Sequence, residues 1–197
     1  MKCWHTLNLD ISTAIRPEFN FNDFLQTGEN KGIPGDLWYL NQEKLTNMFN
    51  EEWLDYMENH GAKIWGAMIF YRSPHYIHPE VHIDQVSNSD STPSAALNWV
   101  VADNDDSEMV WYDFPETTGK KLTTTASTPY VTWPTVEVEE LEVDRHCIGN
   151  KLTLVRTDIP HNIIVRNVPR WSISLRTEER YSTWDQIEQK FSNLFLD

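Results

Sequence analysis

The sequence has few cysteines and no long apolar run. Only Cys3 and Cys147 are present, and two cysteines are too few for a disulfide framework. No stretch approaches the length of a membrane-spanning helix. The first ten residues, "MKCWHTLNLD", lack the apolar core of a secretory signal. We therefore expect a cytoplasmic protein with no membrane partner.

Positive charge is also scarce. The chain has 16 Lys and Arg against 30 Asp and Glu, which gives a formal net charge of −14. This balance repels phosphate backbones and anionic lipid surfaces, and the sequence contains no basic cluster that would offset it. We expect no nucleic-acid partner. A neutral or cationic small molecule, or a peptide side chain, suits the charge better, while the oligomeric state stays open.

The sequence does contain enough apolar material for a folded core. Hydrophobic residues make up 40% of the 197 residues, and nine of these are Trp. This composition excludes disorder over most of the length. The length suits one domain of ordinary size, so we expect a single domain over residues 1–197.

Two segments have apolar residues at helical spacing. Residues 42–60 lie between a possible N-cap, Asn41, and a stop at Gly61. Residues 183–196 begin with Thr183 and Gln186 at the spacing of a capping box. The apolar stripes are Leu45, Met48, Phe49, Trp53 and Met57 in the first, and Ile187, Phe191, Leu194 and Phe195 in the second. Both segments are predicted to be helices with one buried face.

Between these helices the periodicity changes to that of strands. Over about residues 63–177 the chain contains short β-branched and aromatic segments: "KIWGAMIFY", "AALNWVV", "SEMVWYDF", "TVEVEELEV", "KLTLVRT" and "RWSISLRT". Polar breaks such as "SNSDSTPS" separate them. Antiparallel strands without intervening helices predict a mainly β fold: a sandwich, jelly roll or barrel with the helices buttressing one side.

The stretch "HPEVHIDQ", residues 78–85, contains candidate metal ligands. Residues i and i+2 of a strand project from the same face, so His82 and Asp84 would point together. His78 and Glu80 have the same spacing, but Pro79 between them favours a loop or an edge. His82 and Asp84 are therefore the preferred pair.

A third ligand has to come from elsewhere, and His161 in "RTDIPHNIIVRN" is the best candidate because it begins another apolar strand. Two histidines and one carboxylate on one face form the arrangement expected of non-haem Fe(II) oxygenases. A structural zinc site would more often contain thiolates.

The strand "RWSISLRT" has two different faces. Alternation places Arg170, Ser172, Ser174 and Arg176 on one face and Trp171, Ile173 and Leu175 on the other. A buried Arg needs an anion. A dicarboxylate supplies one, because the planar guanidinium binds a carboxylate through two hydrogen bonds and a neighbouring Ser hydroxyl can donate to the same group.

Taken together, "HID", a distant "PH" and "RWS" resemble the 2-oxoglutarate- and Fe(II)-dependent oxygenase superfamily over about residues 65–177. The segments "AALNWVV" and "MVWYDF" are similar to a small bacterial and phage-type subgroup. The resemblance implies a double-stranded β-helix, or jelly-roll, core. It also implies that His82, Asp84 and His161 hold iron, and that Arg170 and Ser172 bind the distal carboxylate of 2-oxoglutarate.

The implied activity is that of a dioxygenase, most simply a hydroxylase of a small molecule, amino acid or peptide side chain. A non-catalytic jelly-roll binding protein or phage accessory protein is the alternative. Arg170 follows His161 at the short end of the family's spacing, so Arg176 and Arg166 stay as alternative anchors. Asn98 either satisfies buried backbone groups or lines the site beside the cosubstrate, and Arg156 either contacts substrate or forms a surface salt bridge.

Overall fold

The computed structural model describes residues 1–21, 37–75, 80–84, 93–101, 107–114, 120–123, 129–134 and 139–196. These residues contain twelve strands, and all of their pairings are antiparallel. In chain order the strands are β1 Trp4–Thr6, β2 Leu37–Asn41, β3 Ile64–Arg72, β4 Glu80–Ile83, β5 Ala95–Val100, β6 Ser107–Tyr112, β7 Lys120–Thr123, β8 Pro129–Pro134, β9 Glu142–Cys147, β10 Thr153–Arg156, β11 His161–Val165 and β12 Arg170–Thr177.

The strands form two six-stranded sheets. The first sheet has the order β1-β10-β5-β12-β3-β2, and the second has the order β7-β8-β4-β11-β6-β9. Consecutive strands from β3 to β6 lie alternately in the first and the second sheet, and the strands from β9 to β12 also alternate between the two sheets. Antiparallel sheets connected in this way form a jelly roll, also called a double-stranded β-helix. The predicted mainly β fold is therefore confirmed.

The apolar core has one layer between the sheets, a larger one outside the first sheet, and a small cluster around Val110 and Trp133 of the second sheet. Between the sheets, Ala96, Val100 and Val155 of the first sheet pack with Met109 and Trp111 of the second. Outside it, two α-helices, α1 Glu51–Asn59 and α2 Trp184–Phe191, cover the first sheet. The expected buttressing by helices is thus confirmed, and within the described ranges no helix has the length and hydropathy needed to cross a membrane.

The first helix is shorter than the predicted range of 42–60. Gln42–Asn47 is a 3-10 helix, and α1 begins only at Glu51. Between them, Phe49 forms an isolated antiparallel bridge with Ile15. This long-range pairing interrupts the helix, so Asn50 rather than Asn41 precedes the α-helix.

The second helix begins as predicted. The Thr183 side chain accepts a hydrogen bond from the Gln186 backbone N–H, and the Gln186 side chain accepts one from the Thr183 backbone N–H. The α-helix ends at Phe191, and the chain continues as the 3-10 helix Ser192–Leu194 instead of remaining α-helical to residue 196. At the end of α1, Gly61 has a φ of 84°, a conformation that favours glycine.

One strand prediction is wrong in part, and four strands were not predicted. The segment "TVEVEELEV" was expected to be a strand, but Glu139–Leu141 is a 3-10 helix and β9 begins only at Glu142. Residues 135–138 of that segment lie outside the described residues. The strands that were not predicted are β1, β2, β7 and β8, and the first two of these precede the predicted core of residues 63–177.

Candidate metal centre

The two histidines meet through strand pairing in the second sheet. His161, the first residue of β11, lies directly opposite His82 of the neighbouring antiparallel strand β4. Directly opposite residues of an antiparallel pair project from the same face, and the imidazole centroids are 4.5 Å apart. The register of these strands therefore creates the pair, although the two residues are distant in sequence.

Asp84 follows β4 immediately, two positions after His82. Its backbone N–H donates to the carbonyl of Thr157, 3.3 Å away. Its carboxylate Oδ1 lies 3.7 Å from Nε2 of His82 and 3.8 Å from Nε2 of His161. The ligand atoms of the three residues all lie within 4.8 Å of one another. The predicted pair and the distant histidine thus converge, and the triad could hold a metal ion.

The hydrogen bonds of His161 suit metal binding. Its Nδ1 lies 2.9 Å from the carbonyl of Ile159. A carbonyl only accepts, so Nδ1 carries a proton, and in the neutral imidazole Nε2, which faces Asp84, keeps its lone pair. Metal-binding histidines are generally oriented in this way by a hydrogen bond to the other ring nitrogen. The imidazole side chain of His161 is 4% exposed and the carboxylate side chain of Asp84 is 26% exposed, so the triad opens to solvent on its carboxylate side.

Arg176 contacts the other oxygen of the same carboxylate. Its guanidinium Nη1 lies 3.5 Å from Oδ2 of Asp84, and its side chain is 7% exposed. Its Nη2 also contacts the sulfur of Met68. Asp84 therefore directs Oδ1 toward the histidines while Oδ2 faces a buried cation. This contact places Arg176 at the triad, and its role as the alternative anchor stays a prediction.

Arg170 lies at the opposite end of β12, and the predicted alternation of this strand is confirmed. Ile173 and Leu175 are fully buried in the layer that faces the helices. Arg170, Ser172 and Ser174 are on the other face and are 3%, 9% and 5% exposed. The inner face of β12 is thus a buried polar surface with a cation at each end.

The positive charge of Arg170 is energetically unfavourable because the side chain is buried. Burial, and to a smaller extent the nearby positive charge of Arg72, lowers its pKa from 12.5 to about 9. This pKa is still well above 7, so the guanidinium stays protonated at neutral pH. Its Nε atom is buried with no hydrogen-bond partner among the described residues. A buried cation in this state favours binding of an anion.

Asn98 of β5 is opposite Ser174 in the first sheet and shares its inner face. Its Oδ1 is buried without a hydrogen-bond partner in the described part of the chain. Of the two roles left open by the sequence, this arrangement favours lining the site over satisfying a buried backbone N–H through that oxygen.

The remaining candidates lie elsewhere. His78 is outside the described residues. Arg166 is half-exposed and forms an ion pair with Glu108, and Arg156 forms one with Asp158 at 2.6 Å. Arg156 therefore forms a salt bridge, as one of its two alternatives expected, and the guanidinium of Arg166 lies at the surface.

Sequence analysis did not single out Arg72, the last residue of β3. It lies directly opposite Arg170, and 9% of it is exposed. The signal was present in "IWGAMIFYR", because alternation places Arg72 on the same face as Phe70 and Met68. A charge that ends an otherwise apolar strand was the feature to notice.

Comparisons with known proteins do not assign this chain to a family. No protein-family model matches the chain, and no curated protein matches it. Among solved structures, the crystal structure of a Pseudomonas putida prolyl-4-hydroxylase is similar, with 10% identity, a TM-score of 0.43, and coverage of 86% of this chain and 96% of that one. The jelly-roll assignment therefore rests on the strand order and register of this chain itself.

Proposed function

We propose that this protein is an Fe(II)- and 2-oxoglutarate-dependent dioxygenase, most simply a hydroxylase. The observation that carries the proposal is the triad of His82, Asp84 and His161, whose Nε2 and Oδ1 atoms lie 3.7–3.8 Å apart across each histidine–carboxylate pair. Two imidazoles and one carboxylate suit non-haem Fe(II), and such sites leave coordination positions open for substrates. The buried cation Arg170 supports the choice of an anionic cosubstrate.

In this proposal the three side chains hold the iron, which with 2-oxoglutarate and O₂ supplies oxidising chemistry that side chains lack. Arg176 contacts the second carboxylate oxygen of Asp84 and so orients the first toward the histidines. Arg170 and Ser172 bind the distal carboxylate of 2-oxoglutarate, and Asn98 lines the same face. The apolar residues packed between the sheets exclude water from the reacting groups.

The substrate class follows from charge. A net charge of −14 favours neutral or cationic ligands, so we propose a small molecule, an amino acid or a peptide side chain as the hydroxylated group. An anaerobic titration with Fe(II) and 2-oxoglutarate separates this enzyme from a non-catalytic jelly-roll binding protein.

The test is an anaerobic titration with Fe(II) and 2-oxoglutarate, followed by assay of succinate after O₂ is admitted. A weak visible charge-transfer band and slow substrate-free succinate formation are expected. Arg170→Ala should weaken 2-oxoglutarate binding at least tenfold, about 1.4 kcal/mol or more, while metal binding persists. Arg166→Ala is the matched control for removal of one positive charge. If the wild-type protein with bound iron gives neither band nor succinate, the oxygenase proposal fails.

A further inference from the structure

The five methionines of the chain differ in their exposure to solvent. Met48, Met57 and Met109 are buried, with exposures of 0%, 0% and 2%, whereas Met1 is 74% exposed. Met68, in the middle of β3, is partly exposed although it lies within a sheet. An oxidant dissolved in the solvent therefore reaches Met1 and Met68 more easily than the three buried methionines.

Met68 lies beside the candidate metal centre. It is directly opposite Ser174 of β12 in the antiparallel ladder, and both residues belong to the inner face of the first sheet. Its sulfur accepts a hydrogen bond from Nη2 of Arg176, at 2.7 Å. The other terminal nitrogen of the same guanidinium, Nη1, lies 3.5 Å from Oδ2 of Asp84. One buried cation thus joins a thioether to the carboxylate of the triad.

The thioether of Met68 is a weak acceptor, so it competes poorly with Asp84 for the guanidinium of Arg176. Hydrogen peroxide changes this balance. The sulfur lone pair attacks one peroxide oxygen, the O–O bond breaks, and the second oxygen leaves as hydroxide and takes the remaining proton to become water. The sulfur loses two electrons, the peroxide gains two, and the product is a methionine sulfoxide. Its S=O oxygen is a stronger acceptor than the sulfur, and it is bonded to the atom that already contacts Arg176.

We propose that Met68 is a redox-sensitive modification site, at which oxidation by a peroxide draws Arg176 away from Asp84 and weakens metal binding at the triad. This inference rests on the metal-binding part of the proposed function and is independent of 2-oxoglutarate. Loss of a partner that orients a metal ligand typically costs about 10–100-fold in metal affinity. The sulfoxide displaces Arg176 without removing it, so the expected loss is at the low end, about tenfold.

The first experiment treats the folded, metal-free protein with hydrogen peroxide and follows each methionine by peptide mass spectrometry. Met1 and Met68 should gain one oxygen atom before the buried methionines do, because only these two are open to solvent. In urea all five methionines should react at similar rates, since unfolding removes the protection. If Met68 in the folded protein reacts no faster than Met109, the inference fails.

The second experiment measures Mn(II) affinity by calorimetry before and after oxidation, with the peroxide removed before the metal is added. Oxidation should weaken Mn(II) binding about tenfold in the wild-type protein and change it by no more than about twofold in Met68→Leu. Met68→Leu is the matched control, because it has a similar volume and is still oxidised at Met1. Arg176→Gln should bind Mn(II) more weakly without oxidation, and peroxide should have little further effect, since the contact to Asp84 is already lost.

Methionine sulfoxide reductases reverse the modification, so they should restore Mn(II) affinity in step with the reduction of Met68. If Met68→Leu does not fold, this time course in the wild-type protein decides, and recovery that follows Met1 instead overturns the inference. An equal loss of affinity in Met68→Leu also overturns it. Normal Mn(II) binding that is insensitive to Met68 oxidation overturns only this inference, whereas a reduced wild-type protein that binds no Mn(II) overturns the proposed metal centre and the inference with it.

Discussion

At the scale of residues, the triad was predictable because one strand period separates His82 from Asp84, and because His161 begins an apolar strand. The hydrogen bond of His161 to the Ile159 carbonyl was not predictable, since it depends on the turn that precedes β11. Arg72 was missed because its importance comes from register: only the pairing of β3 with β12 places it opposite Arg170.

The prediction at this scale concerns metal binding. His82→Ala and Asp84→Ala should each abolish stoichiometric Fe(II) or Mn(II) binding, because each removes one of three converging ligand atoms. The chain should stay folded, since both side chains are partly exposed. Metal content after dialysis and circular dichroism measure the two effects. His60→Ala, at the exposed end of α1, is the control; loss of metal on His78→Ala instead would show that the wrong pair was chosen.

At the scale of elements, period-two alternation predicted both faces of β12, because one face of that strand packs in an apolar layer and the other carries polar side chains. Periodicity failed where a long-range contact decides the local structure. The pairing of Phe49 with Ile15 divides the first predicted helix, and no local pattern signals it. The start of β9 at Glu142 likewise depends on its pairing with β6 and on the irregularity opposite Trp111 and Tyr112.

Arg145 links these two strands, which gives a prediction on pH. Its guanidinium donates to Glu142 on β9 and to Glu108 on β6. The hydrogen bond from Arg145 lowers the pKa of Glu142 below its usual 4.5. A lowered folded-state pKa stabilises the protein above the unfolded-state value, and this contribution disappears as the pH falls through the folded-state pKa.

Glu142→Gln should therefore reduce the free energy of unfolding at pH 7 and have a smaller effect at a pH below the folded-state pKa. Urea denaturation at both pH values measures the difference, which should be modest because the side chain of Glu142 is 26% exposed. Glu140→Gln, a neighbouring carboxylate at an exposed position, is the control. An equal effect of Glu142→Gln at both pH values would assign its contribution to something other than charge.

At the scale of the whole molecule, the sequence indicated many antiparallel strands but left sandwich, jelly roll and barrel open. Local alternation does not specify which distant strands pair. The order β3-β12-β5-β10 in one sheet and β4-β11-β6-β9 in the other is a property of pairings between segments far apart in the chain. This order brings β4 beside β11, so the fold and the candidate metal centre depend on the same pairings.

The last prediction follows from the overall charge, and it is that binding to random duplex DNA is negligible at physiological salt. The net charge is −14 with only 16 basic residues, and Arg72, Arg170 and Arg176 are at most 9% exposed. These three cations face inward and cannot neutralise a phosphate backbone, which needs several exposed Lys and Arg. Fluorescence anisotropy of a short labelled duplex, at low and physiological salt, measures the binding. Tight binding that weakens steeply with salt would require a basic groove that these residues do not form. It would make a nucleobase the leading substrate class in place of the small molecule, amino acid or peptide side chain proposed above.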